Sequence, residues 1–282
     1  MHKLFKAALL GLAACTAMAG SAGAADIIPE PPMEPPVITT PPPVYEEIST
    51  GGWYLRGDVD YHWSSVDEIS YVTYGPPAGR GAFTSHELDG SWSIGGGVGY
   101  KINKYLRTDL TIDWWAKTDF TGSTAGVCGG VPCVSTDTST MSAWLLLANA
   151  YVDLGTWGGF TPYVGAGIGG AYVKWGDLSN TVGGVTTVHG GSANWRFAYA
   201  LMAGTSYCIN DRLDADLGYR YSRIEDGAMF GYAPVAGPAA DGGFNTHEVR
   251  AGLRYKLGGK GQPCGGQVVS YQPPEYIPPV YK

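Results

Sequence analysis

The chain has 282 residues and a formal net charge of −7, with only 15% charged residues, which excludes a basic nucleic-acid-binding surface. Beyond the first 25 residues no segment reaches the roughly 18 consecutive apolar residues of a membrane-crossing helix, so any crossing must be made by strands. The 43 Gly, 19 Tyr and 9 Trp favour that alternative, because they recur as aromatic-rich stretches separated by Gly, Asn, Asp and Ser.

The N-terminus reads as a secretory signal over 1–24, with Lys3 and Lys6 before an apolar stretch from Ala7 to Ala19 and small residues from Ser21 to Ala25. Small residues at Ala22 and Ala24 place cleavage between Ala24 and Ala25, leaving a mature start Ala25-Asp26 and lowering the formal charge from −7 to −9. Leu12-Ala13-Ala14-Cys15 offers an alternative, a lipobox in which Cys15 would be acylated. Residues 25–50 follow as a Pro-rich linker, with Ile28-Pro29-Glu30-Pro31-Pro32 and Pro41-Pro42-Pro43. Such proline without helical or strand periodicity gives stiff polyproline II rather than a core.

Period-two alternation begins at residue 51. In 51–66, Trp53, Leu55, Val59, Tyr61 and Trp63 oppose Tyr54, Arg56, Asp58, Asp60 and His62. A weaker strand follows over 86–102. From Leu106 the pattern is clearest: Leu106, Leu110, Ile112 and Trp114 share one face, and Arg107, Asp109, Thr111 and Asp113 the other. Further strands are read at 141–154, 160–175 and 194–209; within the first, 143–151 is apolar on both faces, so its register is open and a buried helix would read the same way. In 213–222, Leu217, Tyr219 and Tyr221 oppose Asp214, Asp216, Arg220 and Ser222; in 247–257, Val249, Leu253 and Tyr255 oppose Glu248, Arg250, Arg254 and Lys256.

Charges on one face of otherwise apolar strands need a shared polar interior. The connections alternate strictly, short near 103–105, 156–159 and 210–212, long near 67–85, 122–140, 178–193 and 227–243. Together these predict an all-β fold: an eight-stranded antiparallel transmembrane barrel over 51–258, its short turns and both chain ends periplasmic. A second Pro-rich tail, 259–282, completes the chain and, like the first, could extend about 70 to 80 Å at about 3.1 Å per residue.

Three segments carry a family resemblance. Tyr163-Val164-Gly165-Ala166-Gly167-Ile168-Gly169-Gly170 resembles the fifth strand, and Asp216-Leu217-Gly218-Tyr219-Arg220-Tyr221 the seventh, of the small outer-membrane β-barrels of alphaproteobacteria, within the opacity-type and OmpA-like group. Arg250-Ala251-Gly252-Leu253-Arg254-Tyr255-Lys256-Leu257 is similar to the terminal signal read by the barrel-assembly machinery, although 25 residues follow it here. The resemblance implies localisation in the bacterial outer membrane among its lipid and lipopolysaccharide. It also implies a peptidoglycan tether through the amine of Ala25-Asp26, and Lys282 is similar to the C-terminal lysine that couples the murein lipoprotein to the wall.

Inward cations, Arg56, Lys101, Arg107, Arg196, Arg220, Arg250, Arg254 and Lys256, nearly balance the inward carboxylates Asp58, Asp60, Asp89, Asp109, Asp113, Asp153, Asp214, Asp216 and Glu248. An eight-stranded barrel is only wide enough for side chains to fill it, so these groups are expected to interlock as ion pairs. The function expected is a structural envelope barrel with surface-displayed loops; a narrow porin-like channel is the alternative, and a lipid A-modifying enzyme the third reading. His62 with Ser64, His86 with Ser85, His189 with Ser192 and His247 with Glu248 are the acid–base candidates, none within a specific motif, so no enzyme, cofactor or metal is expected. Cys128 and Cys133 are spaced for a short loop disulfide; Cys208, beside the short turn at 210–212, and Cys264, seven residues after the last strand, are both placed at the periplasmic mouth and are expected to form a second.

Overall fold

The computed structural model describes residues 51–75, 78–233, 236–257 and Cys264. Seventeen strands, β1 to β17 in chain order, account for the ordered structure. Eight form the wall: β1 Gly52–Val66, β5 Ser91–Lys101, β6 Leu106–Ser123, β9 Thr136–Asp153, β10 Phe160–Trp175, β13 Ala193–Asn210, β14 Leu213–Ile224 and β17 Phe244–Leu257. Each pairs antiparallel with the next, and β17 returns to β1 from Trp53↔Leu257 to Val66↔Phe244, so the sheet closes on itself and leaves no free wall edge.

Alternation fixes the facing. Trp53, Leu55, Val59, Tyr61 and Trp63 are exposed on β1, whereas Tyr54, Asp58, Asp60 and His62 are buried. Trp53 and Trp63 stand ten residues apart, about 33 Å along the strand at about 3.3 Å per residue. At a tilt of roughly 40° that becomes a band about 25 Å tall, the thickness of an outer-membrane hydrocarbon layer. Aromatic girdles mark both rims: Trp53, Tyr100, Tyr105, Phe160 and Tyr207 at the end with the short turns, and Trp63, Trp92, Trp144 and Trp195 at the other.

The stretch 143–151 is a strand within β9, with Ala143, Leu145, Leu147 and Tyr151 inward and Trp144 and Leu146 outward. It is apolar on both faces because the interior here is itself apolar. The expected strand over 86–102 is two elements, β4 Ser85–Leu88 and β5, broken at Asp89 and Gly90. Among the short turns, Asp211 and Arg212 suffice between β13 and β14, but 154–159 is longer than expected and folds back through a Trp157–Phe160 bridge.

The long connections were expected as loops; the structure gives them strands. β2 Ile69–Thr73 and β3 Gly79–Ala82 join β15 Gly227–Phe230 and β16 Ala236–Asp241 in a four-stranded sheet that ties the first long connection to the last. β7 Ala125–Cys128 with β8 Val131–Val134, and β11 Leu178–Val182 with β12 Val185–His189, are hairpins turned by Gly129-Gly130 and Gly183-Gly184. All four of these glycines have positive φ, as a two-residue turn matched to strand twist requires. Ile69, Leu178, Met229 and Phe230 from these segments are buried, and that burial is what holds the connections down.

Candidate functional site in the barrel interior

Inward side chains stack in three tiers. Nearest the short turns, Arg107 binds Asp153 at 2.9 Å, Arg254 binds Asp216 at 2.9 Å and lies 3.7 Å from Asp214, and Lys256 binds Asp214 at 2.8 Å. The Arg107 guanidinium also lies over the rings of Tyr151 and Tyr163, at 4.2 and 4.4 Å, so its faces are covered as well as its edge.

The middle tier is a continuous lattice. Arg56 donates to Asp58 at 2.8 Å and to Asp109 at 3.0 Å, and Asn149 donates to the other Asp109 oxygen at 2.8 Å. Arg250 reaches Asp58 and Asp60, each at 3.2 Å, and stands 3.8 Å from Asp113. Arg220 donates to Asp113 at 2.6 Å and to Glu248. Arg220 is on β14 and Asp113 on β6, four strands apart whichever way the wall is followed. This contact therefore crosses the full diameter of the barrel. Both side chains are wholly buried.

Room for these groups comes from inward glycines on β5 and β10. A Cβ on Gly95 would stand 1.9 Å from an Asp113 oxygen, and one on Gly169 would meet the Leu146 carbonyl at 1.9 Å. Large residues on facing strands fill the space these glycines leave.

The third tier, toward the long connections, is aromatic. Trp175 packs against Phe120, Phe230 and Phe244 with ring centroids 5.4, 5.6 and 6.0 Å apart, alongside Ile69, Met141 and Met229. One ion pair is embedded in it, Arg196 with Asp241 at 2.6 Å. Burial raises the Asp241 carboxyl, and the hydrogen bond from Arg196 opposes that shift.

All twelve side chains expected to form the interior lattice, Arg56, Asp58, Asp60, Arg107, Asp109, Asp113, Asp214, Asp216, Arg220, Glu248, Arg250 and Arg254, lie within these tiers. Asp89 does not. The break between β4 and β5 turns it out, and it is exposed. Asp241 takes its place in the charge balance, a residue invisible to the strand reading because β16 lay inside an expected loop. The aromatic tier was also missed, although Phe120, Trp175 and Phe244 continue the inward parity of their strands and could have been found by extending it.

The acid–base candidates do not meet. His62 stacks on Trp115 at 4.4 Å with neither ring nitrogen bonded to a protein group, while Ser64 bonds Thr246. His86 contacts the Val66 carbonyl, and Ser85 bonds Ser123. His189 lies 3.4 Å from the Gly231 carbonyl, while Ser192 donates to Ala228. His247 faces outward to Tyr219, and Glu248 faces in. Among the described residues no cluster of three or more His, Cys, Asp or Glu side chains is arranged to hold a metal.

Cys128 and Cys133 are joined across the β7–β8 hairpin, with Cα atoms 5.8 Å apart. Cys208, near the β13–β14 turn, is joined to Cys264 with Cα atoms 5.5 Å apart. Cys15, Ala24, Ala25, Asp26 and Lys282 lie outside the described residues.

Residues 7–256 match the sequence model of the outer membrane protein β-barrel domain. An uncharacterised protein of Brucella suis is 39% identical over 84% of this chain and 93% of its own length. A candidate adhesin of Rickettsia massiliae is 30% identical over 57% of this chain and 72% of its own length. Among solved structures, Neisserial surface protein A is similar at 18% identity and a TM-score of 0.37, over 73% of this chain and 97% of its own. OprG from Pseudomonas aeruginosa is similar at 16% identity and a TM-score of 0.46, over 74% and 97%.

Proposed function

The chain belongs to the outer membrane β-barrel family, and from that premise we propose that it is a sealed structural barrel that reinforces the bacterial envelope rather than a conduit through it. The observation that carries this reading is the Arg220–Asp113 pair, which bridges the lumen from one wall to the other. Opening a path past it would strand both charges in a low-dielectric interior, at a cost of several kcal/mol each. The aromatic tier is a second closure above the charged one. In planar bilayers the purified, full-length oxidised protein is expected to give no conductance steps; reproducible ohmic steps from heat-modifiable, folded protein would overturn the reading in favour of a narrow channel.

In this proposal the long connections face the exterior and the short turns and termini face the periplasm. The kinship with a candidate adhesin supports display of the loops to other cells. The β17 segment Arg250–Leu257, which closes the wall against β1, would be read by the barrel-assembly machinery as an internal signal. Tethering of Ala25 or Lys282 to peptidoglycan is the remaining part, and it rests on sequence likeness. Lysozyme-digested sacculi should release terminal peptides bearing muropeptides; unmodified termini throughout would end it.

A further inference from the structure

On the outer surface of β6, β9 and β10, at the rim nearest the long connections, two lysines stand over a row of aromatic rings. A bulge between Trp115 and Thr118 sets Ala116 and Lys117 against Ser142 of β9, and Lys174 of β10 pairs with the same serine from the other side. Lys117 and Lys174 are both exposed. With one strand between them, their Cα atoms are about 10 Å apart at about 4.8 Å per strand, within reach of one another's ligand for two side chains of this length. One outward step below, Trp114, Trp144, Tyr172 and Trp195 form an unbroken row through Trp114↔Trp144, Trp144↔Tyr172 and Tyr172↔Trp195. Above Ser142 the outward face of β9 turns to Thr140, Thr138 and Thr136. The hydrocarbon boundary therefore runs between Trp144 and Ser142, at the level of the two ammonium groups.

Every other described cation outside the lumen is placed or occupied differently. Lys104 and Arg212 sit in the short turns at the far rim, Arg80 is in the β2–β3 hairpin, and Arg223 is paired with Asp67 at 2.6 Å. Lys117 and Lys174 have no ion-pair partner among the described residues. Asp119, one outward step above Lys117 and opposite Thr140, lies on the solvent side of the two lysines and subtracts from their positive potential there.

We propose that Lys117, Ser142 and Lys174 form a docking site for the phosphates of a phosphorylated glycolipid of the outer leaflet, the lipid A portion of lipopolysaccharide, with its acyl chains against the aromatic row. The ammonium groups supply charge where the phosphates lie, and the Ser142 hydroxyl supplies a donor between them. The site rests on the outward orientation of the long connections.

Native mass spectrometry of the full-length protein in detergent, titrated with bisphosphorylated lipid A, tests it. Removing both phosphates from the lipid should weaken retention about tenfold, and K117Q/K174Q should weaken it equally, while K104Q at the opposite rim should change nothing. Folding of each variant is read from heat-modifiable mobility; should the double variant not fold, K117Q and K174Q singly carry the comparison beside the lipid series on the unaltered protein. Equal retention of dephosphorylated lipid A, equal loss in K104Q, or displacement of lipid A by inorganic phosphate would overturn the proposal. Binding in detergent is indifferent to topology, whereas the accessibility of an epitope inserted at Gly183-Gly184 on intact cells reads orientation alone, so failure of one is distinguishable from failure of the other.

Discussion

Replacing Arg220 with methionine removes the one side chain that spans the lumen while keeping most of its volume. The variant R220M leaves Glu248 without its partner and leaves Asp113 with only Arg250, 3.8 Å away. Deleting one partner of a buried pair typically costs about 3 to 5 kcal/mol. Glu248 is orphaned and Asp113 keeps only that distant cation, so the expected loss lies at the upper end of that range. With a urea slope of about 2 kcal/mol per molar, the unfolding midpoint should fall by roughly 2 M. The assay is urea unfolding in lipid vesicles, followed by tryptophan fluorescence and heat-modifiable mobility. Adding D113N and E248Q to R220M should recover most of the loss, since an uncharged cluster of similar volume carries no unpaired charge. A loss below about 1 kcal/mol, or no recovery in the triple variant, would refute the view that this lattice holds the barrel shut.

Other consequences are as direct. Leu147, wholly buried toward the lumen, should cost about 2 to 4 kcal/mol on truncation to alanine, whereas lipid-facing Leu146 should cost less than half as much because acyl chains fill the space; unfolding midpoints of L147A and L146A measured side by side check this. G169A should destabilise by about 1 to 3 kcal/mol by the same assay, since its methyl group would press on the Leu146 backbone rather than on a movable side chain. Non-reducing peptide mapping should recover Cys128 linked to Cys133 and Cys208 linked to Cys264, and C264S should lower unfolding free energy by at most about 4 kcal/mol through the freed chain entropy.

Where one side of a strand met lipid and the other met charge, the pattern in the sequence was enough to place it: β1, β14 and β17 alternate throughout, β6 does so as far as Trp115, and the lattice residues followed from parity alone. β9 was ambiguous because Leu145 and Leu147 face an apolar part of the lumen, so its two sides do not differ in polarity. The loop strands were illegible for another reason. β2, β15 and β16 are four to six residues long and held by pairing between the two ends of the chain, as in Asp241↔Ile69, a constraint with no local signature. The inward glycines of β5 and β10 were visible as letters, yet their purpose emerges only against the side chains opposite. The position of Lys117 depended on a bulge, which shifts parity by one and which alternation cannot foresee.

The aromatic tier bears on how the molecule enters a membrane. Ile69, Leu178 and Phe230, which contribute to it, belong to the long connections, and those connections lie at the opposite end of the barrel from Gly52 of β1 and Leu257 of β17. In the proposed orientation they must pass through the hydrocarbon layer before they can assemble, and their burial is gained only on arrival. That late gain acts as a latch: withdrawal would first have to re-expose Ile69, Leu178 and Phe230, so insertion is ratcheted forward by the last part of the structure to form.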